Sequence, residues 1–189
     1  MTDRHARLKE RLLLLRCQIG DEDAYRELVE SYGPRLNYYL RKLMAQPEKA
    51  DDVAQEVWLD VLRQLPRLHD LGAFRTWLYR IAHGKAMLEF RRNGRSPTTT
   101  IDFEQIAGRD EVTFSQEDVA RIHLALDHLE PMYREVLVLR FLEDLSYEEI
   151  SQIADCPVGT VRSRLHYAKE HLRRTLEEKP NLRSINDPH

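Results

Sequence analysis

The feature that most constrains this chain is the interval between its apolar residues, which is three or four along almost every segment that carries them. Val161, Leu165, Ala168, Leu172 and Leu176 make one such stripe. Val53, Val57, Trp58, Val61, Leu62 and Leu65 make a second, and Phe74, Trp77, Leu78, Ile81 and Leu88 a third. A stripe at that period is one face of an α-helix, and it is stable only when buried against another element. Seven Gly and eight Pro in 189 residues are too few for an all-β chain full of turns, while 42% hydrophobic content with 32% charge suits packed helices rather than disorder. An all-α protein is expected.

Punctuation divides the helices into two small domains. Asp21 to Met44 reads as a helix with Ala24, Leu28, Val29, Leu36, Tyr39, Leu40 and Leu43 on its apolar side, and Gly33-Pro34 as a break or kink midway. A second helix runs from about Ala50 to Leu65, with Asp51 and Asp52 near its positive end and Pro66 stopping it. A third spans about Phe74 to Arg92. Together they form a three-helix bundle, residues 21–95, preceded by an extension, 1–20, whose "ARLKERLLLLRCQ" adds a helix. Residues 96–118 have Gly, Pro, a Thr run and no sustained period, and read as a flexible acidic linker. The second domain, 119–178, opens with a helix near Asp118 to Leu129 and continues with one from Pro131 to about Leu142. Ser146 and Glu149 form a capping box for "YEEISQIA", which buries Ile150, Ile153 and Ala154. Residues 179–189 read as a frayed tail.

The net charge of minus 3 says little about partners, but its distribution says more. Arg75 to Arg95 holds six Lys or Arg against Glu89 alone, and Pro157 to Arg174 holds five against Glu170 alone. Ser96 to Asp118 holds Arg109 against six acidic residues. Two basic patches thus flank an acidic segment. Cys17 and Cys156 lack the spacing of a zinc or redox pair and read as packing residues in a reducing, cytoplasmic compartment. His166 and His171 project about 140° apart around a helix and cannot share a metal. Neither a metal nor a cofactor is implied. The Leu12 to Leu15 run is too short for a secretory core or a membrane span. With no G-x-G-x-x-G, P-loop or H-E-x-x-H, nothing points to an enzyme.

"DCPVG" leads from the capped helix directly into the last one, which is the outline of a helix-turn-helix. With Val161, Leu165 and Ala168 turned inward, Arg162, Ser163, His166, Tyr167, Lys169, Glu170, Arg173 and Arg174 face out. Planar donors, a hydroxyl and an aromatic in the first turns suit base edges and phosphates. Gly159 costs the first turn about 1 kcal/mol of helix propensity. Either the neighbouring helix or a phosphate must therefore approach its backbone. Asp155 stands in the turn, where Asp tolerates the left-handed conformation better than most residues.

These segments carry a family resemblance. "LEPMYREVLVLRFLEDLSYEEISQIADCPVGTVRSRLHYAKEHLRRTL" resembles region 4 of bacterial sigma-70 factors of the extracytoplasmic-function (ECF) group. "EKADDVAQEVWLDVLRQL" followed by "FRTWLYRIAHGKAMLEFRRNGR" resembles their region 2. The resemblance implies an alternative sigma factor that binds RNA polymerase core and directs promoter-specific initiation. Region 2 would bind the clamp helices of the largest core subunit and open the −10 element, and region 4 would bind the −35 element. Asp52, Gln55 and Glu56 match the polymerase-binding motif, and their spacing also puts them on one polar face opposite Val53, Val57 and Val61.

By the same resemblance the loop from Arg67 to Ala73 would receive a base flipped from the non-template strand. Arg75, Arg80, Lys85, Arg91 and Arg92 would hold the strand backbone. Tyr79 is the freer aromatic for stacking, because Trp77 sits in the apolar stripe. The −35 contacts would fall on Arg162, Ser163, His166, Tyr167 and Lys169, with Thr160 near a phosphate. Tyr167 stands where a basic residue is common in the family and Gly84 where Asn is common, so the preferred promoter sequences stay open. Related factors are often held by an anti-sigma protein between the domains, though no stretch here identifies one. The competing reading is a stand-alone dimeric helix-turn-helix regulator of palindromic duplex sites, in which the basic helix Phe74 to Arg92 has no task.

Overall fold

The computed structural model describes residues 2–44, 46–92, 126 and 128–177, with side chains of residues 5–174 among them. All the regular structure there is helical. In chain order the elements are α1 (Thr2–Gln18), α2 (Glu22–Leu43), α3 (Pro47–Gln64), 3-10 turns at Leu65–Arg67 and Leu71–Ala73, α4 (Phe74–Arg92), α5 (Pro131–Leu137) running into a π turn (Val138–Leu142), α6 (Tyr147–Ile153) and α7 (Val158–Glu177). The expected linker, most of the helix near Asp118 to Leu129, and the C-terminal tail lie outside the described residues.

The first domain is built from four helices, because the N-terminal extension contributes α1. Leu14 and Cys17 of α1 are fully buried. The Gln18 amide donates to the carbonyls of Leu65 and Leu68 at 3.1 and 2.8 Å, tying α1 to the turn after α3. Asp21 caps α2 by accepting from the Ala24 N–H at 3.0 Å, and Arg16 clamps that carboxylate at 2.8 Å. α2 runs unbroken through Gly33-Pro34 rather than stopping there. The carbonyl that loses its helical donor to Pro34 belongs to solvent-exposed Glu30, so the missing bond costs little. Leu28, Leu36, Leu40, Val57, Val61, Phe74 and Leu78 meet in the core. Val29, Leu62 and Leu88, expected to face inward, are exposed instead. The apolar stripes on their helices are narrower than the sequence period implies, and Ala50, Ala54, Ala82 and Ala86 take the close-packed positions.

The second domain packs α5, the π turn, α6 and α7 around Val136, Leu139, Ile150, Ile153, Val161, Leu165 and Ala168. The capping box of α6 is complete: the Ser146 hydroxyl accepts from the Glu149 N–H at 3.2 Å, and the Glu149 carboxylate accepts from the Ser146 N–H at 2.8 Å. Asp155 has a φ of 47°, as its place in the turn predicts, and Asp144 after the π turn has a φ of 52°. The domains dock through α2 against α5 and α4 against α6. The Arg134 guanidinium braces this seam by donating to the carbonyls of Leu126, Leu129 and, across the seam, Lys42.

Candidate nucleic-acid interface

α7 is held from behind and open in front. Val161, Leu165 and Ala168 are buried against α5 and α6, and the Ser151 hydroxyl donates to the Cys156 carbonyl at 2.7 Å to fix the turn that aims the helix. Arg162, Tyr167 and Lys169 are exposed, while Thr160, Ser163 and His166 are half-buried along the same side. Tyr167 leans on Tyr133 with ring centroids 4.4 Å apart, and the Lys169 ammonium lies 5.2 Å from the centre of the Phe141 ring. These contacts pre-position both side chains without covering them. A Cβ added at Gly159 would meet nothing within 4 Å. Of the two expectations for that glycine, approach by the neighbouring helix is therefore ruled out, and its backbone faces open space.

α4 is arranged differently. Arg80, Arg91 and Arg92 are exposed, but several of the helix's basic groups, Arg92 among them, are already engaged within the protein. The Arg75 guanidinium lies 3.2 Å from Glu10 of α1, a carboxylate that also accepts from the Tyr32 hydroxyl. Lys85 bridges Asp60 at 2.9 Å and Glu56 at 3.3 Å, and its ammonium is held above its ordinary pKa by the hydrogen bond to Asp60, with Glu56 adding to it and desolvation opposing. Arg92 reaches Glu89 at 3.8 Å. Tyr79 contradicts its expected role as the free aromatic, being fully buried with its ring edge-on to Tyr39 at 5.1 Å. Burial first, and then the charge of Glu143, push its hydroxyl far above the ordinary tyrosine value. Trp77 is only half-buried, so the two aromatics exchange the exposures expected of them. The reason lies in the docking: Tyr79 faces α2 and the second domain, which the period of α4 alone does not reveal.

The third surface is on α3. Asp52, Gln55 and Glu56 are exposed on one side of the helix, opposite buried Val53, Val57 and Val61. Leu59 and Leu62, each 51% exposed, extend that polar face with apolar surface. This apolar continuation was hidden from sequence reasoning, which assigned Leu62 to the core. Beyond it, the Arg67 to Ala73 loop is ordered by the Asp70 carboxylate, which accepts from the Gly72 N–H at 2.9 Å, and by Gln18 beneath it. Arg67, His69 and Gly72 are exposed on its surface.

Comparison with known proteins identifies the two domains. Residues 28–96 match the model for sigma-70 region 2, and residues 119–172 match that for sigma-70 region 4. The chain belongs to the sigma-70 family, in its ECF group. It is 33% identical over 182 residues to the RNA polymerase sigma-H factor of Pseudomonas aeruginosa, covering 89% of this chain and 94% of that one. It is 32% identical over 176 residues to the ECF sigma-E factor of Escherichia coli K12, covering 86% and 92%. Among solved structures, CnrH bound to the cytosolic domain of CnrY superposes with a TM-score of 0.62 at 24% identity, over 90% of this chain and 99% of that one. RpoE of Bartonella quintana, bound to the anti-sigma factor NepR, also gives 0.62, at 22% identity over 82% and 98%. Both show the same fold. Matches to region 2 and region 4 in chain order support a sigma factor and not a stand-alone dimeric regulator.

For this sigma factor the described residues include no group of three or more His, Cys, Asp or Glu that could hold a metal, and no helix long and apolar enough to cross a membrane. Burial pushes the Cys17 thiol up to about 11, and burial likewise raises that of Cys156. Both are poor nucleophiles that serve packing. The residues that the sequence did not flag are Arg35, His83, Glu135 and Glu143, which meet at the seam between the two domains. Glu135 sits inside the apolar run "YREVLVLRFLEDL", an anomalous place for a carboxylate, but its partners are 52 and 96 residues away.

Proposed function

We propose that this sigma factor binds RNA polymerase core through the α3 face of Asp52, Gln55 and Glu56 and directs initiation at promoters with −10 and −35 elements. In this reading Thr160, Arg162, Ser163, His166, Tyr167 and Lys169 of α7 contact the −35 duplex, and Arg75, Arg80, Lys85, Arg91 and Arg92 of α4 hold the melted −10 strand. Tyr79 is not among them, since its ring is buried. The clamp helices of the largest core subunit are the partner of the α3 face, where exposed carboxylates suit basic groups and Leu59 and Leu62 supply desolvated area beside them. The chain catalyses no reaction of its own, and it works in the cytoplasm, where polymerase and chromosome are. An anti-sigma factor is a further partner, as NepR is for RpoE of Bartonella quintana.

The observation that carries the reading is the presence of matched regions 2 and 4 on one chain whose polymerase-facing triad is solvent-exposed. Binding to core and to two DNA elements then adds through effective concentration, so neither domain needs high affinity alone. In-vitro transcription with core polymerase on a genomic fragment library provides the test, with an Asp52→Ala, Gln55→Ala, Glu56→Ala variant in parallel. Promoter-specific starts that disappear with the variant are expected. Absence of starts with the unaltered chain, together with binding of palindromic duplexes by the protein alone, overturns the reading.

A further inference from the structure

The seam between the domains is built unlike either interior. Two carboxylates of the second domain are buried in it, Glu135 at 3% exposure and Glu143 at 1%. Their donors come from the first domain. Oε1 of Glu135 accepts from the Tyr39 hydroxyl at 2.6 Å and lies 2.7 Å from Nδ1 of His83. Oε1 of Glu143 accepts from Nε of Arg35 at 3.1 Å, while Nη2 of Arg35 lies 2.8 Å from Oε2 as an ion pair and donates to the Leu142 carbonyl. Two turns before His83, the Thr76 hydroxyl donates to Glu149 of α6 at 3.1 Å. A carboxylate left buried without its donors is far costlier than one returned to water, so Glu135 is satisfied either with the domains docked, by Tyr39 and His83, or with them apart, by water. Intermediate states are penalised, and the seam behaves as a two-position device.

Docked and separated states differ in what they offer DNA. The −10 and −35 elements are centred about 25 base pairs apart, roughly 85 Å of duplex. α4 is docked on α6, which packs against α7, so in this arrangement α4 and α7 cannot reach both elements at once. We propose that Glu135, gripped by Tyr39 and His83, is a proton-responsive latch that holds the free chain closed and withholds α4 from promoter DNA. The promoter consequence rests on the sigma-factor reading, whereas the latch itself does not.

The charges around His83 set the sign. Burial works against its protonation, but the Glu135 carboxylate, by charge and hydrogen bond, and Asp155 in the turn before α7 outweigh both burial and the opposing Arg164 of α7, so the imidazole is held above its ordinary pKa. From α2, Tyr39 touches the same carboxylate oxygen, and burial followed by the Glu135 charge raises its hydroxyl well above the ordinary value, which keeps it a donor. On α3, Glu56 and Asp60 are occupied by Lys85, and on α6, Glu149 by Thr76 and its own cap. Closing therefore takes up a proton. The contribution is fully present below the ordinary histidine value of about 6.5 and is lost as pH rises through the higher value of the closed chain.

Small-angle X-ray scattering on the full chain between about pH 5.5 and 8.5, without polymerase or DNA, tests this directly. The unaltered protein is expected to be compact at the acid end and to expand as pH rises through the His83 transition. His83→Gln should be expanded at both ends and lose the response. Glu135→Gln should shift the balance of closed to open chain roughly tenfold toward open, one charge-assisted hydrogen bond being lost. His83→Gln lies at the rim of the seam and decides the matter if Glu135→Gln unfolds the second domain. A radius that does not change with pH in the unaltered chain, or a His83→Gln variant that keeps the full response, overturns the latch. In-vitro transcription on the same preparations separates the two readings: specific starts with flat scattering reject the latch alone, and pH-dependent scattering without starts rejects the sigma reading alone.

Discussion

α4 and α7 carry similar local excesses of positive charge in the sequence, yet the folded chain makes them unequal. On α7, Arg173 is paired with Glu170 at 3.0 Å and Arg164 is half-buried beside Cys156, but Arg162 and Lys169 stand exposed and the glycine at the N-terminal turn is unobstructed. On α4, Arg75, Lys85 and Arg92 are each paired with a carboxylate, and the N-terminal half lies against the second domain through Thr76 and Tyr79. Formal charge therefore measures what a helix can offer DNA only after its internal partners are subtracted. In the proposed reading, the free chain leaves the −35 helix open and holds much of the −10 helix in internal contacts.

Breaking the seat of α7 should have the largest effect on that asymmetry. Leu165→Ala removes a fully packed side chain and is expected to cost about 2–5 kcal/mol of second-domain stability, read as a fall in the denaturant midpoint. Duplex binding should fall with it, while α4 is untouched. Arg162→Ala leaves the fold intact and should cost about 1–3 kcal/mol in binding to a −35 duplex, with relaxed preference at one base position, measured by competition titration at fixed salt. Equal losses on every sequence would instead mark Arg162 as a phosphate contact.

Smaller changes sharpen the comparison. Ser146→Ala removes the cap of α6 and should cost about 1 kcal/mol. Its partner Glu149 makes that cap sensitive to pH. Burial acts to raise the Glu149 carboxyl, but bonds to the Ser146 N–H and hydroxyl and to Thr76 outweigh it and hold the pKa below the ordinary value. The stabilisation is present above the ordinary carboxylate range and is lost as pH falls through the lowered folded value. Acid titration of Ser146→Ala should consequently show a weaker loss than the unaltered chain. Gly159→Ala should be the mildest in the free protein, raising stability by no more than about 1 kcal/mol, because the added Cβ meets nothing within 4 Å. If −35 affinity drops in the same variant, a phosphate occupies that space; unchanged affinity would show that it does not.

Local rules reached far into this molecule. The helical period placed Leu28, Val57, Leu78, Val161 and Leu165 in the core, the Ser-x-x-Glu pattern placed the start of α6, and Asp155 marked the left-handed turn before α7. Each depends on residues within a few positions of one another, so each is encoded in a short window. The polar face of Asp52, Gln55 and Glu56 was legible for the same reason, since spacings of three and four decide which side of a helix a residue shares.

Where windows end, so did that legibility. Whether Val29, Leu62 or Leu88 is buried depends on how wide a stripe the neighbouring helix can cover, and all three proved exposed. Tyr79 was misread because its burial comes from α2 and from a domain reached only through a long connection. Sequence alone determined the helices, their caps, the order of two sigma regions and the residue types each could present to polymerase and DNA. Only the tertiary structure decided which charges remain unspent and how the domains lock together, because Tyr39, His83 and Glu135 carry no mutual signal until folding brings them within 3 Å of a single oxygen atom.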